Sequence, residues 1–204
     1  MISQVNDPGK TDEAGKKLGM WLFLYTEIIL FGGLFVLYAV YLTRYPNEFI
    51  EGGKELSRMF GVINTVILLI SSFAVAAAIT AVQKGQRKIA LWAIGGALGC
   101  GGIFLVNKYF EWGHKIALGI YPNSDRLLDG PDGQNMFFGL YYVITGLHGL
   151  HIVIGMTFLA VSFGFVLAGQ VTAKRFALLE NAGLYWHLVD LIWIFVFPLF
   201  YLII

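Results

Sequence analysis

The chain has 204 residues, 57% of them hydrophobic and 13% charged, and a mean hydropathy of +0.71. Soluble domains use roughly 45–50% apolar and about 25% charged residues, so this composition marks an integral membrane protein. The formal net charge of +1, without a basic cluster, excludes the electrostatic footprint of a nucleic-acid binder.

Met1 to Lys17 is polar and mixed in charge, and lacks the n-region, h-region and cleavage site of a signal peptide. We read it as a polar cytoplasmic segment. Five hydrophobic runs follow, at about Leu18–Leu42, Phe60–Val82, Ile89–Tyr109, Met136–Ala168 and Ala182–Ile204. Each meets the requirement of about 20 residues for a spanning helix. The fourth is long enough to tilt or protrude. Period-two alternation, the mark of a barrel, is absent. The expected fold is all-α, with one transmembrane domain of five helices over residues 18–204.

Lys10, Lys16 and Lys17 precede the first run, Lys84, Arg87 and Lys88 crowd the second link, and Lys174 and Arg175 lie in the fourth. The positive-inside rule then puts the N-terminus in the cytoplasm and the C-terminus outside. The opposite segments, Arg44–Met59 and Gly113–Asn135, carry Pro, Gly and acids and read as outer loops. No phosphate-binding glycine loop, dinucleotide fingerprint or inverted repeat is present. Ala74–Ala78 and the glycine-rich run Gly95–Gly102 suit close helix packing, or a groove for a lipid chain. The single Cys100 excludes an internal disulfide and a thiolate metal cage.

Polar residues inside the runs carry the functional question, because ionisable groups at membrane depth are costly and mark functional sites. Glu27 lies nine residues into the first run, ~14 Å of helical rise. His148 and His151 share a face of the fourth run, and His187 and Asp190 a face of the fifth, with Trp186 and Trp193 beside Asp190. Asn64 and Thr65 sit near the start of the second, Asn107 and Glu111 at the end of the third, and Glu180 opens the fifth. Three chemistries fit these residue types. One is a metal or haem site on His and carboxylates. A second is a proton or ion relay through Glu27, the histidines and Asp190. The third is structural: polar groups tying helices to one another, to lipid headgroups or to a partner. Trp21, Trp112 and Trp186 read most simply as interfacial belt residues.

Five segments resemble subunit III of haem–copper terminal oxidases in its five-helix bacterial form. They are Trp21-Leu-Phe-Leu-Tyr-Thr-Glu27-Ile-Ile-Leu-Phe31, Asn64 to Ser72 followed by the Arg87-Lys88 turn, and Tyr109-Phe-Glu111-Trp112. The others are Gly146-Leu-His148-Gly-Leu-His151 and, most specific of all, Glu180-Asn-Ala-Gly-Leu-Tyr-Trp186-His187-Leu-Val-Asp190-Leu-Ile-Trp193. The match runs from Leu18 to Ile204 in one order.

This resemblance implies a subunit of a cytochrome c or quinol oxidase, a proton-translocating complex of an aerobic respiratory chain in a bacterial plasma membrane. It implies no redox centre and no catalysis in the chain itself. Haem and copper would belong to partner subunits, with subunit I the principal contact, and phospholipid would be bound between the helices. Glu27 aligns with the family's carbodiimide-reactive carboxylate, a reagent that attacks the protonated acid apolar surroundings favour. Arg87 and Lys88 would lie near lipid phosphates. Asn64, His148, His151, Glu180, His187 and Asp190 would be polar ties, with Trp186 and Trp193 lining that seam.

Some features depart from the family. The longer form has two further N-terminal helices, Lys108 stands where several relatives carry an acid or neutral residue, and Gly95–Gly102 is unusually rich in glycine. Two rivals remain open on sequence: a subunit III-like accessory of nitric oxide reductase, and an autonomous proton carrier using Glu27.

Overall fold

The computed structural model describes residues 8–172 and 176–202, with side chains from Leu18 onward. Lys174 and Arg175, and the side chains of Lys10, Lys16 and Lys17, all used to orient the bundle, lie outside the described residues. Seven α-helices make up the described chain: α1 Pro8–Arg44, α2 Pro46–Lys54, α3 Arg58–Gln83, α4 Arg87–Ala117, α5 Asp125–Leu128, α6 Asp132–Leu167 and α7 Ala177–Phe197. Five stretches are long and apolar enough to cross a membrane: Leu18–Arg44, Arg58–Gln83, Arg87–Ala117, Asp132–Leu167 and Ala177–Leu202. The expected all-α membrane bundle is what forms.

The last span is the centre of the bundle. Its helix α7 is the most buried of the five and packs on α1, α3 and α6, while α3 lies along α4 and α4 along α6. The reason is in its side chains: Leu188, Ile192, Tyr185, Val189, Trp193 and Trp186 step around nearly half of the helix, and Gly183 and Asp190 extend the buried arc further. An α-helix that is apolar nearly all round finds neighbours all round. The first span is the least buried and stands at the edge.

Pro198 supplies no N–H to continue α7, and the chain widens into a π-helical turn over Pro198–Leu202. That turn is held from every side. The Tyr38 hydroxyl of α1 donates to the Leu199 carbonyl. Phe200 meets Tyr38, Tyr141 and Phe137 edge-on, with ring centroids 5.0, 5.5 and 5.6 Å away. On α3, Gly61 leaves room for the rings of Phe197 and Tyr201, which a Cβ would approach to 2.7 and 2.9 Å.

The structure corrects two of the expected element boundaries. The stretch Arg44–Met59, expected as a loop, contains α2, opened by a proline at its first turn and laid on the bundle through Phe49, Gly52 and Gly53. Phe49 packs edge-on against Tyr38 and Phe137 at 5.2 and 5.3 Å. The third span does not stop near Tyr109 but runs two turns further, to Ala117. Lys108, Glu111 and Lys115 end the hydropathy signal without ending the helix, because they find partners inside the protein.

Candidate functional site

α3 and α7 run antiparallel, and hydroxyls on α3 receive the ring N–H groups of α7. Trp186 Nε1 donates to Ser71 Oγ at 2.9 Å, and Trp193 Nε1 to Thr65 Oγ1 at 3.0 Å. His187 Nδ1 lies 2.6 Å from Ser72 Oγ. Ser71 passes the contact on to α4, donating to the Ala97 carbonyl at 3.3 Å. Short hydroxyls suit this place in a membrane, since they can bond their own helix and still take a donor from the next. Thr65 does so, donating to the Gly61 carbonyl at 2.8 Å.

Trp186 is therefore not a belt residue. It is fully buried, its ring in a slot between α4 and α6 where a Cβ on Gly101 or Gly155 would come to 2.9 or 2.8 Å. Of the run Gly95–Gly102, only Gly101 serves such an approach; Gly95, Gly96, Gly99 and Gly102 face open space. Trp112 also turns inward, its ring 5.1 Å from Tyr142 and beneath Gly146. Trp21 stays exposed, as expected.

One turn beyond Trp186, Asp190 is 4% exposed, and neither carboxyl oxygen has a hydrogen bond among the described residues. Ser72 stands beside it, so Ser72 lies between the two sequence-paired residues His187 and Asp190. His148 is fully buried between Phe104 and Trp193, with centroids at 5.5 and 5.1 Å, and neither ring nitrogen has a partner among the described residues. Glu180 is half-buried in the first turn of α7, with no side-chain hydrogen bond among the described residues. The polar ties expected of His148 and Glu180 are not made within the described residues. Aromatic packing holds the first, and position at a helix start favours the second.

Glu27 does find a partner. Its Oε2 is 2.7 Å from His151 Nε2, and His151 Nδ1 is 2.7 Å from the Leu147 carbonyl. A carbonyl only accepts, so Nδ1 carries the hydrogen, and Nε2 is the nitrogen that meets the carboxyl. Phe31 closes the pair edge-on at 5.2 Å. Asn64, on the buried side of α3, accepts from Asn107 Nδ2 at 2.9 Å.

The cluster that sequence reasoning missed is Lys108. Its ammonium is buried and donates to Glu111 Oε2 at 3.0 Å, Tyr201 Oη at 2.7 Å and Tyr141 Oη at 3.2 Å. Tyr201 in turn donates to Glu111 Oε1 at 2.7 Å. The rings of Tyr141, Trp193 and Tyr201 lie 5.0–5.4 Å from the ammonium, within cation–π range. The Lys108–Glu111 spacing of three, inside a helix, was the available signal.

At the opposite end of the bundle, exposed Arg87 opens α4 and donates to the Leu167 carbonyl that closes α6; Lys88 is exposed beside it. Separately, an apolar groove of about 600 Å³ lies between α4 and α6, lined by Leu98, Leu105, Val153 and Met156. Among the described residues, no three of His, Cys, Asp and Glu come together as a metal-ligand set.

Residues 7–203 match the family model described as cytochrome c oxidase subunit III. The chain belongs to that family. This subunit III chain is 33% identical over 191 residues to cytochrome c oxidase subunit 3 of Thermostichus vulcanus, covering 91% of this chain and 86% of that protein. It is 28% identical over 185 residues to cytochrome bo(3) ubiquinol oxidase subunit 3 of Pseudomonas aeruginosa, covering 90% and 83%. It is 30% identical over 200 residues to the heme-copper oxidase subunit I+III of Aeropyrum pernix, covering 90% of this chain and 22% of that longer protein. Subunit III membership implies association with other oxidase subunits.

Proposed function

We propose that this subunit III is a non-catalytic, structural component of a proton-pumping haem–copper oxygen reductase in a bacterial plasma membrane. It stabilises the catalytic subunit and holds phospholipid against it; haem and copper reside in the partners. The N-terminus is cytoplasmic and the C-terminus outside, as the basic links favour. Subunit I is the principal neighbour, a reading supported by the relative whose name joins subunits I and III in one chain.

The observation that carries the proposal is where the polar side chains end. Trp186–Ser71, Trp193–Thr65, Glu27–His151 and Lys108–Tyr201 each join two spans. They are distributed along the bundle and do not converge on one open pocket, as reacting groups would need to do. Single interhelical hydrogen bonds in bilayers contribute only about 0.6–2 kcal/mol, so a set of them, spread over all five spans, is a device for fixing geometry. Exposed Arg87 and Lys88 at the start of α4 are cationic donors suited to lipid phosphates, and the separate apolar groove between α4 and α6 suits an acyl chain.

Removing the chain from the purified oxidase tests this directly. Initial oxygen reduction should persist while the number of turnovers before inactivation falls, and bound phospholipid should be lost with the chain. A complete loss of initial rate in an otherwise assembled complex would contradict a non-catalytic role.

A further inference from the structure

Leu199, Phe200 and Tyr201 are consecutive, yet each reaches a different part of the bundle. The Leu199 carbonyl accepts from the Tyr38 hydroxyl of α1. The Phe200 ring meets Tyr38 of α1, and Phe137 and Tyr141 of α6, edge-on. The Tyr201 hydroxyl donates to Glu111 Oε1 and accepts from Lys108 Nζ, both on α4 and both at 2.7 Å. Its ring rests on Gly61 of α3. The spans α3, α4, α6 and α7 pack on one another along their lengths, whereas α1 packs on α2, α6 and α7 and is the least buried. The π-helical turn Pro198–Leu202 is what joins α1 to α4.

Behind that turn lies charge. Lys108 and Glu111 are 7% and 5% exposed, although Glu111 is only six residues, ~9 Å of rise, from the end of α4 at Ala117. Phe200 and Tyr201, both fully buried, close the way. An ion pair with its hydrogen bonds is strong where water is excluded and weak where water competes. The tie from Tyr201 to this pair therefore holds only while the pair is dry, and the pair is dry only while Tyr201 is in place. Two conditions that require each other give a closed state and an open state, with little between them.

We propose that Pro198–Leu202 is a conformational latch. Closed, it ties α1 to α4 at the Arg44–Ala117 end of the bundle and keeps water from Lys108 and Glu111. Released, it opens that end alone, while the packed helices hold the other end together. The latch is a property of this chain's packing, whichever complex the chain joins.

Hydrogen–deuterium exchange with mass spectrometry, on the intact purified complex in lipid nanodiscs, tests it. Tyr38→Phe with Tyr201→Phe keeps both rings and removes only the two hydroxyls that fasten the turn. Amides of residues 39–44 and 109–117 should exchange roughly tenfold faster than in the parent, and those of residues 20–30 and 90–100 should stay within about twofold. Gly61→Ala reaches the same turn by another route, since its Cβ would come 2.9 Å from the Tyr201 ring, and should give the same local pattern. Unchanged exchange at residues 39–44 and 109–117 in both variants would overturn the latch. Equal acceleration at both ends of the bundle would overturn it too, because the turn would then be one more part of a core that opens as a whole.

Discussion

Glu27 of α1 and His151 of α6 meet at 2.7 Å although 124 residues separate them in the chain. The contact matters because the first span is the least buried of the five. A helix with little packing depends on the few polar ties it has, and a buried pair broken on one side leaves the other group desolvated and alone. Glu27→Leu should therefore cost about 3–5 kcal/mol, and Glu27→Leu with His151→Phe less than the sum of the two single changes. Thermal release of the subunit from the purified complex measures both, and strict additivity would refute the pairing.

The Lys108 cluster makes a sharper prediction. Lys108→Met leaves Glu111 buried without its cation, and should lower stability by about 3–5 kcal/mol. Replacing both residues, Lys108→Met with Glu111→Leu, should recover most of that loss, because a well-packed apolar pair often matches a buried ion pair. Thermal scanning of the complex distinguishes the cases. A double variant worse than the single would mean that Glu111 has a partner outside this cluster.

Glycine substitutions separate filled from open surfaces. Gly155→Ala and Gly101→Ala put a Cβ 2.8–2.9 Å from Trp186 and should destabilise by about 1–3 kcal/mol through overpacking. Gly95→Ala and Gly99→Ala meet nothing within the chain and should be neutral or slightly stabilising, as Ala is the better helix former. If Gly99→Ala instead weakened retention of the subunit, that face of α4 would be covered by a neighbour in the complex.

How far these features could be read from residue order differs by scale. Five spans are visible as runs because each is long and apolar, and the resemblance to the family rests most on the motif Glu180–Trp193 in the last of them. The last two turns of α4 were not visible: Lys108, Glu111, His114 and Lys115 end the hydropathy run, and only the fold reveals that Lys108 and Glu111 satisfy each other, with Tyr201 from the far end of the chain. Helix α2 was hidden for a similar reason. Nine residues with two glycines carry little helical signal, and Phe49 becomes an anchor only once Tyr38 and Phe137 are brought beside it. Trp186 sits among residues that also suit an interfacial belt; its burial depends on small residues of α4 and α6 remote in sequence. The His187–Asp190 spacing did mark a shared region, but Ser72, which lies between them, could come only from the packing of α3.

Asp190 offers a prediction on assembly as opposed to rate. Asp190→Ala removes a buried carboxyl beside Ser72 from the α3–α7 seam and should reduce lipid content or retention of the subunit. It should leave the initial oxygen-reduction rate within about twofold, since ties within the bundle do not touch the transition state of the reaction. Lipid analysis and initial-rate assays of the same preparation check both halves. A large immediate loss of rate with assembly intact would place Asp190 in the reaction path.

The most direct measurement of the central claim is native mass spectrometry of the complex released gently from its own membrane. This account predicts one assembly in which the chain travels with a haem–copper catalytic subunit and carries phospholipid, and from which it dissociates without haem or metal. A chain released alone, or with a partner that is not an oxidase, would contradict it.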